Sequence, residues 1–168
     1  ETIISIGTLS GWLGQSLYLR EIFGHEAGAP PPIDLDEEKS NGDFILRMIE
    51  EKYVTACHDI SDGGLLIAIT EMAFSSLKKG KKLGVEIINT ANLDPFAFYF
   101  GEEQSRYIIT TVHPDELLKM AQKEGIVANI IGKTTSNGQL LLPDNCSVPL
   151  EELYTKHDNW LPEYMLGA

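Results

Sequence analysis

Positive charge is scarce in this chain. Thirteen Lys and Arg stand against 25 Asp and Glu, a net charge of -12. A nucleic-acid surface needs clustered cations to neutralise phosphates, so that class of partner is excluded. The one basic cluster, Lys78-Lys79 with Lys81-Lys82, falls at the end of a helical pattern, where cations complement the helix dipole. Long apolar runs are missing too. None reaches the ~18 residues of a membrane-crossing helix, and no signal-peptide pattern is present. Cysteine is rare: Cys57 and Cys146 lie far apart and belong to no metal spacing. Cys57 adjoins His58, but neighbouring strand residues point to opposite faces, so a small buried hydrophobe is expected rather than a nucleophile. A cytoplasmic protein with reduced thiols is the simplest expectation. The histidines at 25, 58, 113 and 157 show no zinc-protease spacing, and no metal site is assigned. There is no glycine-rich phosphate loop of the G-x-x-x-x-G-K-[ST] type.

What remains is an ordinary globular composition. Hydrophobic residues make up 43% of 168, enough for one folded domain with a core. Residues 1–168 are therefore treated as a single domain, with 157–168 as a tail of unassigned order. The chain opens on Glu1-Thr2-Ile3-Ile4 and already reads as a strand, so a segment of a longer protein is expected.

Periodicity places the elements. Strand patterns cover Thr2 to Ile6, Tyr53 to Cys57 (short and buried), Lys82 to Asn89 and Arg106 to Val112. Helical patterns cover Gln15 to Phe23, stopped by Gly24, and a run from Asp36 with Phe44, Ile45, Met48, Ile49 and Tyr53 on one face. A third spans Leu65 to Leu77, with a stripe wide enough to pack across a sheet. Leu93 to Phe100, with Pro95 and four aromatic residues, reads as a short helix burying its rings. His113-Pro114 opens a helix that Gly125 ends, and Glu151 to Lys156 forms a last one. Asn137-Gly138 between apolar runs predicts a hairpin joining Ile126–Thr135 to Gln139–Leu142. The fold expected is α+β: a mixed β-sheet with helices packed on it and partly ferredoxin-like connections.

Chemistry concentrates in His58-Asp59-Ile60-Ser61-Asp62-Gly63-Gly64-Leu65. Two carboxylates and two glycines occupy a tight turn at a helix start. Such a start carries unpaired N–H groups and attracts anions. Asp59 and Asp62 could also hold a cation that carries a phosphate. The plain alternative is a helix cap built from Ser61 or Asp62.

About forty residues on comes Phe100-Gly101-Glu102-Glu103-Gln104-Ser105-Arg106. The two turns, in this order and at this spacing, resemble phosphoribosylformylglycinamidine synthase, the ATP-dependent amidotransferase of purine biosynthesis. The resemblance extends to Ile6-Gly7, Leu13-Gly14-Gln15-Ser16, Pro30-Pro31-Pro32-Ile33-Asp34-Leu35 and Ile131-Gly132-Lys133. Glu103 stands where that family usually has serine. The resemblance implies the C-terminal domain of the enzyme's second half, with the fold of the same domain in aminoimidazole ribonucleotide synthetase.

The reaction implied turns formylglycinamide ribonucleotide into its amidine. ATP with Mg²⁺ activates the amide oxygen, ammonia attacks, and phosphate leaves. A glutaminase subunit or domain supplies the ammonia. The ATP-binding domains would precede this segment in the same chain, so the fragment alone is expected to be inactive and to bind neither cofactor. The family's E-x-Q substrate residues lie in its first half. Glu102, Glu103 and Gln104 resemble their pseudo-symmetric counterparts, and no catalytic residue is carried over. The candidate ligand cleft comprises Asp59, Ser61, Asp62, Gly63, Gly64, Glu102, Glu103, Gln104 and Arg106, with both turns at one end of the sheet. Two alternatives stand beside this reading: a sister synthetase, making aminoimidazole ribonucleotide or selenophosphate, or a non-catalytic structural or regulatory module. The Gly101–Arg106 turn argues against the sisters. A homodimer is expected through an apolar patch at Ile3, Ile4, Ile6, Trp12 and Leu13.

Overall fold

A computed structural model describes residues 1–88, 93–143 and 146–167. Among these residues seven strands form one mixed sheet. They are β1 (Thr2–Ile6), β2 (Ala56–Asp59), β3 (Gly84–Ile87), β4 (Tyr107–Thr111), β5 (Ala128–Thr135), β6 (Gln139–Leu141) and β7 (Ser147–Pro149). Their order is β2-β4-β1-β5-β3-β6-β7. Every neighbouring pair is antiparallel except β3 with β6. Among the described residues six helices accompany them: α1 (Leu17–Phe23), α2 (Leu35–Glu50), α3 (Gly64–Leu77), α4 (Pro95–Phe100), α5 (Pro114–Glu124) and α6 (Leu150–Leu166).

Strand alternation divides the core into two layers. Ile3 of β1 and Ile108 of β4 point toward α3 and join Leu65, Ile69, Phe98 and Leu150. Ile4, Ile6 and Ile109 point the other way and meet Phe44, Ile45 and Met48 of α2 and Leu117 and Ala121 of α5. A sheet covered on both faces explains why three of the five β1 residues, on both faces, are isoleucine. The same fact removes the dimer patch expected at the first strand. Ile3, Ile4 and Ile6 are all buried, because β1 lies inside the sheet between β4 and β5. Trp12 and Leu13 are only partly exposed.

Two further expectations are corrected. The strand placed at Tyr53–Cys57 begins at Ala56 and is an exposed edge. The amides of Tyr53 and Val54 donate back to the Met48 carbonyl, so these residues finish the α2 turn instead of pairing. Cys57 is consequently exposed, not buried. The Asn137-Gly138 hairpin does not form either. β5 and β6 are separated by β3, which pairs with both. The connection passes over the start of β3 at Gly84. A Cβ on Gly84 would lie 2.1 Å from Asn137 Oδ1 and 2.3 Å from Thr135 Oγ1. Only glycine leaves room for that crossing.

Helix ends follow local chemistry. Asp34 caps α2 by accepting from the amides of Asp36 and Glu37 at 3.0 and 3.1 Å. Gly24 and Gly125 end α1 and α5 in the left-handed region. In α4, Phe98 and Tyr99 are buried as expected, but Phe96 is 53% exposed and stacks on Tyr18. α6 continues through Pro162 to Leu166, the stretch to which the sequence assigned no order. Leu153 packs on the core and Tyr154 and His157 meet Phe74, while Trp160, Leu161, Tyr164, Met165 and Leu166 are exposed.

Candidate functional site: two turns clasped at one end of the sheet

β2 and β4 run antiparallel, with Asp59 opposite Tyr107. The turn that leaves β2 and the turn that enters β4 must therefore start at the same sheet end. The Ile60 amide donates to the Arg106 carbonyl at 2.9 Å and carries the pairing one step further. Gly63 and Gly64 then have φ of 80° and 71°. A Cβ on Gly64 would stand 2.7 Å from the Phe100 carbonyl carbon and 2.8 Å from the Gly101 oxygen. The two glycines let α3 start against the backbone of the second turn.

The acidic pair of that second turn reaches in two directions. Glu102 Oε1 accepts from the Gly63 amide at 2.8 Å and from the Leu17 amide at 2.9 Å. The anion at the start of α3 is thus one of the protein's own carboxylates. Glu103 turns toward the 10–12 loop. Its Oε1 accepts from the Ser10 amide at 2.8 Å, the Ser10 hydroxyl at 3.1 Å, the Trp12 amide at 3.0 Å and the Gly11 amide. Its Oε2 accepts from Arg106 Nη1 at 2.6 Å.

Glu103 and Arg106 are 6% and 1% exposed, a buried ion pair. Burial pushes the Glu103 carboxyl up, but the Arg106 charge, the Trp12 amide and Ser10 outweigh it and hold the group below the usual carboxylate range. Burial lowers the Arg106 guanidinium from its ordinary value, and Glu103 opposes that shift. Breaking such a pair from one side costs about 3–5 kcal/mol, because the survivor is left charged and unpaired.

The nine candidate residues therefore divide into three groups. Gly63, Gly64 and Glu102 meet at the start of α3. Glu103 and Arg106 form a separate buried pair beneath the 10–12 loop. Asp59, Ser61, Asp62 and Gln104 face solvent. Among the described residues no side chain caps α3, so the Ser61 or Asp62 cap is not formed. Among the described residues no three His, Cys, Asp or Glu side chains gather as a metal set.

Several contributors escaped the sequence reading. The Ser10, Gly11 and Trp12 amides act through backbone, which no side-chain motif reveals. Ser105 sits at φ 64°, unusual for a residue other than glycine. It is held there by Asn41, which donates to its carbonyl at 2.8 Å, and by its own hydroxyl donating to Glu38 at 2.7 Å. Tyr107 donates to the same Glu38 at 3.3 Å. Ser16 is buried and caps α1, its hydroxyl accepting from the Leu19 amide at 3.3 Å.

Beside Gly63 runs an apolar groove of about 550 Å³. Leu17, Tyr18, Ile22, Ile67, Phe96 and Phe100 wall it. Tyr18 stacks against Phe100 with ring centroids 4.9 Å apart. Such a lining suits apolar contact and offers no cation for a phosphate.

Residues 1–142 match the family model described as AIR synthase related protein, C-terminal domain. Over 170 aligned residues the chain is 44% identical to phosphoribosylformylglycinamidine synthase subunit PurL of Methylocella silvestris, covering all of this chain and 22% of that protein. The chain thus spans about a fifth of the curated relatives it matches. Among solved structures, Thermotoga maritima PurL complexed with FGAR superposes with a TM-score of 0.69 at 21% identity, covering 91% of this chain and 27% of that one. The same protein complexed with ATP superposes at 0.64 with 20% identity, covering 91% and 25%. At such identities the likeness speaks to the fold.

Proposed function

Because the chain belongs to the AIR synthase related protein C-terminal domain family, we propose that it serves as the C-terminal domain of the second half of a phosphoribosylformylglycinamidine synthase. The observation that carries this reading is the 44% identity to a PurL subunit along the whole of the chain. In this role the longer protein converts formylglycinamide ribonucleotide to the amidine as an ATP-dependent ligase of the amidotransferase class, in the cytoplasm. A glutaminase subunit or domain supplies the ammonia.

This domain's share of that work is architectural. A bare phosphate does not fit the start of α3, because Glu102 already takes the Gly63 amide and the exposed Asp59 and Asp62 beside it repel an anion. The described residues also bring no metal set together. We therefore assign both cofactors to preceding domains of the same polypeptide, and this chain to walling a pseudo-symmetric cleft. Exposed Ile22 and Phe23 of α1, with Trp160 and Tyr164 of α6, give neighbouring domains apolar surface to cover. A homodimer of the chain would use these surfaces in place of the buried first strand.

The test is a segment exchange. Residues 1–168 replace the aligned segment of the Methylocella silvestris subunit, and glutamine- and ATP-dependent amidine formation is measured. Activity within about tenfold of the parent is expected, and the isolated chain should hydrolyse no ATP. A folded, assembled but inactive chimera would sink the assignment.

A further inference from the structure

The donors around Glu103 outnumber what its carboxylate can use. Three consecutive amides and one hydroxyl converge on Oε1, while Arg106 addresses Oε2. Successive backbone N–H groups that aim at one point form an anion-binding concavity. Arg106 holds more in reserve. Its Nε and Nη2 are buried without a hydrogen-bond partner among the described residues, and the residue is 1% exposed. Arginine stays charged and buried donors are costly to leave unpaired, so this is a site of strong anion demand.

We propose that the Ser10, Gly11 and Trp12 amides, the Ser10 hydroxyl and the Arg106 guanidinium make an oxyanion site of which Glu103 is the resident ligand, and that a small free carboxylate takes its place when the side chain is withdrawn. The class of ligand follows from the donors. One oxygen meets the amide concavity and the second meets the guanidinium, the two-point pattern of a planar carboxylate. Occupancy couples to loop position, since the segment leading into α1 is drawn to the sheet end by these same bonds. The inference stands on the geometry of this site and is independent of the enzymatic role proposed above.

Glu103→Ala opens the site and leaves every donor in place. Sodium formate, compared with sodium chloride at equal ionic strength, should raise the variant's melting temperature saturably. At a tenfold excess over Kd the gain should be about 3–6 °C beyond that of the unsubstituted protein. The double variant Glu103→Ala/Arg106→Met should lose the gain. Glu103→Gln, whose amide still fills the space, should also show none. If Glu103→Ala is unfolded in chloride, the readout becomes the fraction refolded, which formate should restore. The proposal is overturned if formate helps Glu103→Ala no more than the unsubstituted protein, if the double variant or Glu103→Gln gains as much, or if neither salt restores folding.

Discussion

Gly64 and Gly125 have nearly the same backbone conformation, with φ of 71° and 72°. Their surroundings differ completely. A Cβ on Gly125 would meet none of the described residues within 4 Å, while one on Gly64 would come within 2.7–2.8 Å of the Phe100 and Gly101 backbone. Alanine at Gly125 therefore carries only the left-handed strain, about 1–2 kcal/mol. Alanine at Gly64 carries that strain plus overpacking of about 1–3 kcal/mol, because backbone atoms cannot swing aside as a flexible side chain would. The total at Gly64 is about 2–5 kcal/mol. At ~2–4 °C per kcal/mol for a chain of this size, Gly64→Ala should lower the melting temperature by roughly 4–20 °C. Urea unfolding of both variants, followed by circular dichroism, isolates the contact term as the difference between them. Equal losses at the two positions would refute the claim that α3 is seated directly on the second turn. So would a Gly64→Ala variant within about 0.5 kcal/mol of the parent, the usual scatter of a surface substitution.

Two other outcomes follow from the titrating groups. The Glu103 carboxyl is depressed in the folded protein, so it binds protons less readily folded than unfolded. Its contribution is complete above the unfolded carboxyl value near ~4.3 and is lost as pH falls through the lower folded value. The stability gap between the unsubstituted protein and Glu103→Gln, from urea midpoints, should be flat from pH 7 to about 5 and close below about pH 4; a gap that widens on acidification would contradict the buried ion pair. The Cys57 thiol is pushed up to about 11, first by its partly desolvated surroundings and then by Asp59, although the residue itself is exposed. Iodoacetamide alkylation at Cys57, mapped by mass spectrometry, should accelerate up to about pH 11, and a plateau near pH 8 would reverse that assignment.

The sequence by itself determined what depends on neighbours along the chain. Apolar spacing placed α3 and α5. Gly24 and Gly125 marked the ends of α1 and α5 because only glycine enters the left-handed region cheaply. The two motif turns, expected at one end of the sheet, lie together there because β2 and β4 pair antiparallel and bring the exit of one beside the entrance of the other. Strand order was not legible in the sequence. Asn137-Gly138 is a strong local hairpin signal, yet β3 enters between β5 and β6, because its ladder with both outweighs a two-residue turn. Burial followed strand order: of two runs read as strands, the first became the buried interior β1, while the strand near Tyr53–Cys57 formed at Ala56–Asp59 as an exposed edge. The fate of the acidic pair was likewise tertiary. Glu102 and Glu103 both read as candidate cleft residues, but the chain returns α1 and the 10–12 loop to the sheet end and engages both with backbone amides. Hydrogen-bond demand from residues some 85 to 93 positions away decided their role, and no local pattern encodes such a partner.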